Sequence, residues 1–431
     1  MNLLELHDSR VTLRSAQRVL AASPGFANVA GAEPLFGEAA RQVARLHPRQ
    51  NFHQFWQQLS LDPLAIKTKT FRHHADLAYR HLQLLTQEQE LGAGVLVATP
   101  ASYTRTQLSV LLGILKPFPF RTLALIDHGL LLAAASEVPD CIVLDLQLHQ
   151  AVLSCYREVD GSLQREKLSQ IPAAGSLALL DAWSSVVSDA FLQQSRFDPT
   201  HSAETEQYIA NQLPVWLAAS ARSGELQLEI NLKGSTFQAR VTHDMFCERS
   251  KTLFARIARE LAALRTADSG LFTQAGNLAL PGLTAAFPGI QGLDEHAGLL
   301  AAERHRELLL KPADSPAFLS RLPLAKQPAA TAGAAPARQP THVLLDHQAY
   351  TLPLGRTLAG ESAGQSDLAR VLGLPGWHGS LVLQRGPRGV LLERVAGEVL
   401  CNEDPATAGR WLKPGDCLRA GTHQLLLISV E

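Results

Sequence analysis

The stretch Cys141-Ile-Val-Leu-Asp145-Leu-Gln-Leu-His149-Gln-Ala-Val-Leu-Ser-Cys155 decides how the chain is read. An apolar run ends at an aspartate, four mostly polar residues follow, and a second apolar run begins. That is a buried strand, a turn opening at Asp145, and a returning strand. Upstream, Val95-Leu-Val-Ala-Thr-Pro100 is a buried strand closed by proline, and residues 121–126 form another. Helical periodicity fills the intervals at 73–91 and at 104–115, where Thr104 is a cap. A third helix is expected at 130–136. A strand near 163–168 follows the opening pair. Strands alternating with helices, then a hairpin, predict an α/β domain with a mixed sheet.

The same reading extends to both ends. Residues 2–30 predict short strands, with Asp8 at the first bend. Residues 34–59 begin as a helix on Ala39, Val43 and Leu46, which Pro48 interrupts. Phe52, Phe55, Trp56 and Leu59 form an aromatic cluster. Helices are expected over 174–192, 203–219, 244–264 and 296–310. A hairpin at 225–232 and 236–241 turns at Gly234-Ser235, and a short strand covers 270–273. From 312 to 341 proline, alanine and glycine dominate, which reads as a linker. Residues 342–431 hold short, closely spaced β-type runs, the pattern of a small β-sandwich. The expected domains are 1–311 and 342–431.

The chain has 431 residues, with 39 basic and 40 acidic side chains. It has no overall field to draw in nucleic acid or an acidic membrane. The five cysteines form no CxxC pair, so buried free thiols in a reducing cytoplasm are expected. The longest apolar run, 129–135, is far short of the roughly 20 residues of a membrane helix, and no signal peptide is visible. A soluble cytoplasmic protein is the expectation.

Six landmarks in order resemble the ATPase domain of the actin, sugar-kinase and heat-shock-chaperone superfamily, in its seventy-kilodalton chaperone branch. Leu6-His7-Asp8-Ser9-Arg10 sits at the first phosphate loop. Gly37-Glu-Ala-Ala40 and Pro48-Arg-Gln-Asn51 resemble the segment after it. Val95 to Tyr103 looks like the strand and its Pro-Ala-aromatic turn. Leu125-Ile-Asp127-His-Gly with Ala133-Ala-Ala resembles the connecting helix. The 141–154 hairpin falls at the second phosphate loop. Phe272-Thr-Gln-Ala-Gly276-Asn-Leu-Ala-Leu-Pro281-Gly282 resembles the adenosine loop. The resemblance spans about 300 residues and implies a two-lobed, ribonuclease H-like fold that binds ATP with Mg²⁺.

The departures concern the chemistry. Backbone N–H groups that cradle phosphate need glycine's freedom, and Mg²⁺ needs carboxylates. Asp8 and Asp145 match the family's aspartates, and Gly276 its adenosine loop. The second loop's glycines are replaced by Gln147, Leu148, His149 and Gln150. The catalytic lysine would fall at 54–57, where there is none. His128 stands at the connecting helix's glutamate and Ala279 near its adenine-stacking arginine. Arg10, Leu148 and His149 are therefore expected to fill the vacated site. Asp8 and Asp145 have two readings: metal or nucleotide ligands, or caps that bond the backbone of their own turns. Arg10 and His149 have the further reading of holding an anion. No nucleophile–base pair suggests another enzyme. His73, His74 and His81 lack a ligand partner and read as a solvated helix face.

In the last 90 residues, Thr351 to Arg356, Gly376-Trp-His378, Val399-Leu-Cys-Asn402 and Leu412-Lys-Pro-Gly415-Asp416 resemble a forkhead-associated (FHA) domain. The resemblance implies Arg356, His378 and Asn402 as peptide-binding residues and a phosphothreonine-containing protein as partner. Pro375 stands where that family has a serine, so one phosphate ligand is missing. No substrate-binding domain or helical lid of the chaperones follows the linker. Three functions follow from the resemblances. The first is a non-hydrolysing scaffold or adaptor that takes protein partners and needs no cofactor, the second a divergent Mg-ATP switch or weak ATPase, and the third an actin-like filament former.

Overall fold

The computed structural model describes residues 1–15, 18–68, 70–89, 91–92, 94–232, 234–266, 269–310, 316–324, 340–345, 348–351, 365–367, 381–386, 389–395, 399–402, 404–406, 410–420 and 423–428. They fall into two compact units, Met1–Lys326 and Gln327–Glu431.

The first unit is built on two six-stranded mixed sheets, each a three-strand meander with two parallel strands beside its first strand, and they differ in where the sixth strand adds. In the first sheet Asn2–Glu5, Val11–Ser15 and Arg18–Ser23 form an antiparallel meander. Val95–Thr99, Thr122–Asp127 and Phe318–Leu319 add on the other side of Asn2–Glu5, all parallel. In the second sheet the meander is Asp140–Leu146, Gln150–Val159 and Ser162–Pro172. Gly270–Gln274 and Gln291–Leu293 add parallel beside Asp140–Leu146, and Arg321–Pro323 pairs with the far edge. Asp8 lies at the first bend of one meander and Asp145 beside the first bend of the other.

Strand periodicity explains the layering. Leu4, Leu6, Val95 and Val97 face the helices His74–Thr86 and Arg105–Leu115. Leu3, Leu96 and Ala98 point the other way, onto a core shared with His128–Ser136, Ala297–Arg304 and Val143 and Phe272 of the second sheet. The opposite faces of Ile142, Leu144 and Leu146 pack on Ser176–Ser195, Ala203–Ser223 and His243–Leu264. Both sheets are thus apolar on both sides, as parallel strands covered by helices must be. Among the described residues no helix is long and apolar enough to cross a membrane. All five cysteines are free; Cys141, Cys155 and Cys401 are buried, Cys247 and Cys417 half-buried.

Three expectations change. The 34–59 helix shrinks to Glu38–Arg41, followed by turns and the short helix Pro48–Gln50. The 296–310 helix breaks at His305 into Ala297–Arg304 and Arg306–Leu309. Within the 312–341 stretch expected to be linker, two short strands complete the sheets of the first unit, because Leu322 is fully buried there.

In the second unit every described strand pairing is antiparallel. One sheet has the order 348–351, 342–345, 423–428, 417–420, 399–401, 404–405. The other runs 365–367, 381–386, 389–395, 410–412.

Candidate functional site

The two bends meet. Leu148 donates its backbone N–H to Asp8 Oδ1 at 2.7 Å, and His7 Nε2 donates to Asp145 Oδ1 at 2.6 Å. Gln147 Nε2 donates to Asp145 Oδ2 at 2.9 Å, and Gln150 Nε2 to Gln147 Oε1 at 2.8 Å. Among the described residues, neither aspartate caps its own turn through backbone N–H groups. Each is bound across from one sheet's bend to the other's. Asp8 Oδ2 is buried without a hydrogen-bond partner among the described residues.

Electrostatics follow from this burial. Burial alone would lower the His7 imidazolium, but the charge and hydrogen bond of Asp145 outweigh it and raise the group to about 9. Burial alone would raise Asp145, but His7 holds it down at about 2. The two are an ion pair at neutral pH. Asp8 moves the other way: burial raises its carboxyl, against the opposing effects of His7 and the Leu148 N–H. A second buried pair lies beside the first. Arg14 Nε donates to Glu5 Oε2 at 2.6 Å, and His128 Nε2 is 3.5 Å from Glu5 Oε1. Burial would raise Glu5, but its contacts with His128 and Arg14 hold it below its usual range.

The 147–150 turn is fixed from below. Ser176 and Leu177, at the start of helix Ser176–Ser195, donate their backbone N–H groups to the carbonyls of Gln147 and Leu148 at 2.8 and 2.9 Å. These are helix N-terminal donors of the kind that bind anions, and here the turn consumes them. Gly175 permits the contact: a Cβ there would lie 2.5 Å from Gln147 O, Leu148 O and Gln150 N. The Leu148 side chain is buried against Phe26 and Ala40. His149 is half-buried and stacked on His53, with ring centroids 4.9 Å apart. Its Nε2 donates to the His53 carbonyl at 2.8 Å.

Of the residues expected to fill the site, Leu148 and His149 are packed inward, whereas Arg10 is exposed. Arg10 and Gly276 line one cavity of about 320 Å³, together with Glu5, His7, Ser9 and Arg14. Gly276 lies in the short helix Ala275–Ala279 after strand Gly270–Gln274. Asp127 caps His128–Ser136 through Gly129 N–H and takes Tyr156 OH at 3.0 Å and Arg165 Nη1 at 2.7 Å. Trp56 Nε1 donates to His81 Nδ1. His81 is therefore a core residue, not part of a solvated face, and burial lowers its imidazole to about 4.

Sequence reading missed His7 and Ser9. Ser9 Oγ is 2.6 Å from His7 Nδ1, which completes a Ser9–His7–Asp145 chain. The signal was present in His7-Asp8-Ser9, but its third member is 138 positions away.

In the second unit, Arg356 and His378 lie outside the described residues. Asn402 adopts φ 54° and ties its turn to the start of the neighbouring strand 417–420: Nδ2 donates to Asp416 Oδ1, and Oδ1 accepts from Cys417 N–H, both at 2.8 Å. Gly415, at φ 96°, makes the neighbouring turn, where Asp416 Oδ2 accepts from Lys413 N–H. No protein-family model and no curated protein matches the chain.

Proposed function

We propose that the chain is a non-hydrolysing relative of the chaperone-type ATPases joined to an FHA-like module, and that it works as a scaffold or adaptor for protein partners. One observation carries this reading. The 147–150 turn is bonded to Asp8 above and to the helix N-terminus at 176–177 below, so donors that would hold phosphate are spent within the protein. Two further features support it. Each sheet of the first unit joins a three-strand meander to parallel strands, with an aspartate at or beside the first bend. In the second unit, antiparallel sheets and the Gly415-Asp416 turn suit the FHA-like assignment.

A divergent Mg-ATP switch is the second reading, favoured by the unpartnered Asp8 Oδ2 and the cavity at Gly276. Titration with a fluorescent ATP analogue, with and without Mg²⁺, separates the two. The scaffold reading expects no saturable binding in the micromolar range. Micromolar, Mg²⁺-dependent binding that is lost in Asp145→Ala overturns it.

A further inference from the structure

We propose that the groove between helices His74–Thr86 and Arg105–Leu115 is a docking site for an acidic amphipathic helix of a protein partner. The groove encloses about 750 Å³. Each helix lines it with one face, Ala75, Tyr79 and Arg80 on the first and Val110, Gly113 and Ile114 on the second. Each wall is about two turns long, which is the span of apolar anchors at i, i+3 or i+4, and i+7 on a docked helix. Gly113 leaves room between the walls: nothing lies within 4 Å of the position its Cβ would take.

The chemistry of the occupant follows from the lining. Phe71, Ala75 and Ile114 are buried and belong to the core beneath, Tyr79 and Val110 are half-buried, and Leu61 is 64% exposed. A partner with apolar anchors covers such a surface. The charged residues of the lining are Arg72, Arg80 and Asp76. Asp76 is committed to the start of its own helix, where Oδ2 accepts from Arg72 N–H at 2.6 Å and His73 N–H at 3.1 Å. The two arginines are exposed and make no ion pair among the described residues; Arg80 Nη1 donates to the neutral Gln83 Oε1 at 2.6 Å.

An apolar floor beneath two uncommitted guanidinium groups is complemented by apolar anchors flanked by carboxylates, which arginine binds with both arms of its fork. An extended peptide would need an unpaired sheet edge to bond its backbone, whereas both walls here are helices, so the helix-in-groove mode applies. None of the lining residues belongs to either bend of the two meanders. A helix docked here is therefore compatible with a cleft that holds nucleotide and with one that does not.

The immobilised full chain is panned with a phage library of random peptides about four helical turns long, with Gly113→Trp and the double variant Arg72→Glu/Arg80→Glu as counterselections. Tryptophan at 113 fills the groove, and the open space at its Cβ position admits it to the helix. The two arginines are exposed, so the double variant keeps the fold and decides the matter alone if Gly113→Trp does not fold. Peptides enriched on the unaltered chain are expected to carry apolar residues at i, i+3 or i+4, and i+7, with two or more carboxylates. A fluorescein-labelled synthetic copy of the leading sequence is expected to bind in an anisotropy titration, at least about tenfold more weakly in either variant and more weakly at high salt. The proposal is overturned if no sequence is enriched over the counterselections, or if the enriched ones lack carboxylates or helical spacing. An affinity unchanged in the double variant also overturns it. So does a dimer in sedimentation that Gly113→Trp or the double variant abolishes, which would give the groove to a second copy of the chain.

Discussion

At the residue scale, His7 and Asp145 set the working range of the first unit. The imidazole is raised from 6.5 to about 9, so its contribution to stability is complete below pH 6.5 and is lost as pH rises through about 9. The carboxyl is lowered from 3.8 to about 2, so its contribution is complete above pH 3.8 and is lost as pH falls through about 2. The pair is fully effective between those limits, from about pH 4 to 6.5. Removing one partner strands the other charge in the interior, at a cost of about 3–5 kcal/mol. His7→Gln and Asp145→Ala are therefore each expected to lower the urea midpoint strongly at pH 6, and the deficit of His7→Gln is expected to shrink above pH 9. A His7→Gln midpoint equal to the wild type at pH 6 would show that the pair adds nothing.

At the element scale, the 147–150 turn depends on a missing side chain. A Cβ at Gly175 would meet three backbone atoms of the turn at 2.5 Å, and backbone cannot rotate away. Gly175→Ala is expected to destabilise by about 1–3 kcal/mol, as overpacking does. Gly113, exposed in Arg105–Leu115 with nothing within 4 Å of its Cβ position, is the control. Gly113→Ala is expected to stabilise by about 0.4–1 kcal/mol. Thermal melts of both variants decide it, and equal shifts would remove the packing account. The same turn marks what the sequence could tell. Apolar runs ending at Asp8 and Asp145 are legible because strands covered on both faces read as continuous apolar stretches, and the loss of loop glycines is visible letter by letter. The crossed bonding of the two aspartates was not, since neither partner is local. Arg10 was expected to fill the site because it lies in the stretch that resembles the first phosphate loop; the residue is exposed instead. The 34–59 helix stopped short because Pro48 and the turns before it end the pattern that Ala39 and Val43 begin.

At the scale of the whole molecule, composition suggested that the first domain ends at 311, whereas contacts carry the first unit to Lys326. The difference rests on two short strands. Phe318–Leu319 extends the first sheet from Leu125 and Ile126, and Arg321–Pro323 extends the second from 162–164. Leu322 is fully buried, next to Leu163 and Leu309 in the core between the sheets. One segment therefore ties both sheets, which a composition rich in proline and alanine around it obscures. Burying a leucine is worth about 1.5–3 kcal/mol, and five strand residues extend the two sheets at their edges. A chain ending at 326 is expected to unfold in urea with the midpoint of the first unit in the full protein. A chain ending at 311 is expected to be less stable by about 2 kcal/mol or more, with a lower midpoint. Identical midpoints for the two truncations would return 312–326 to the linker and leave the first unit complete without it.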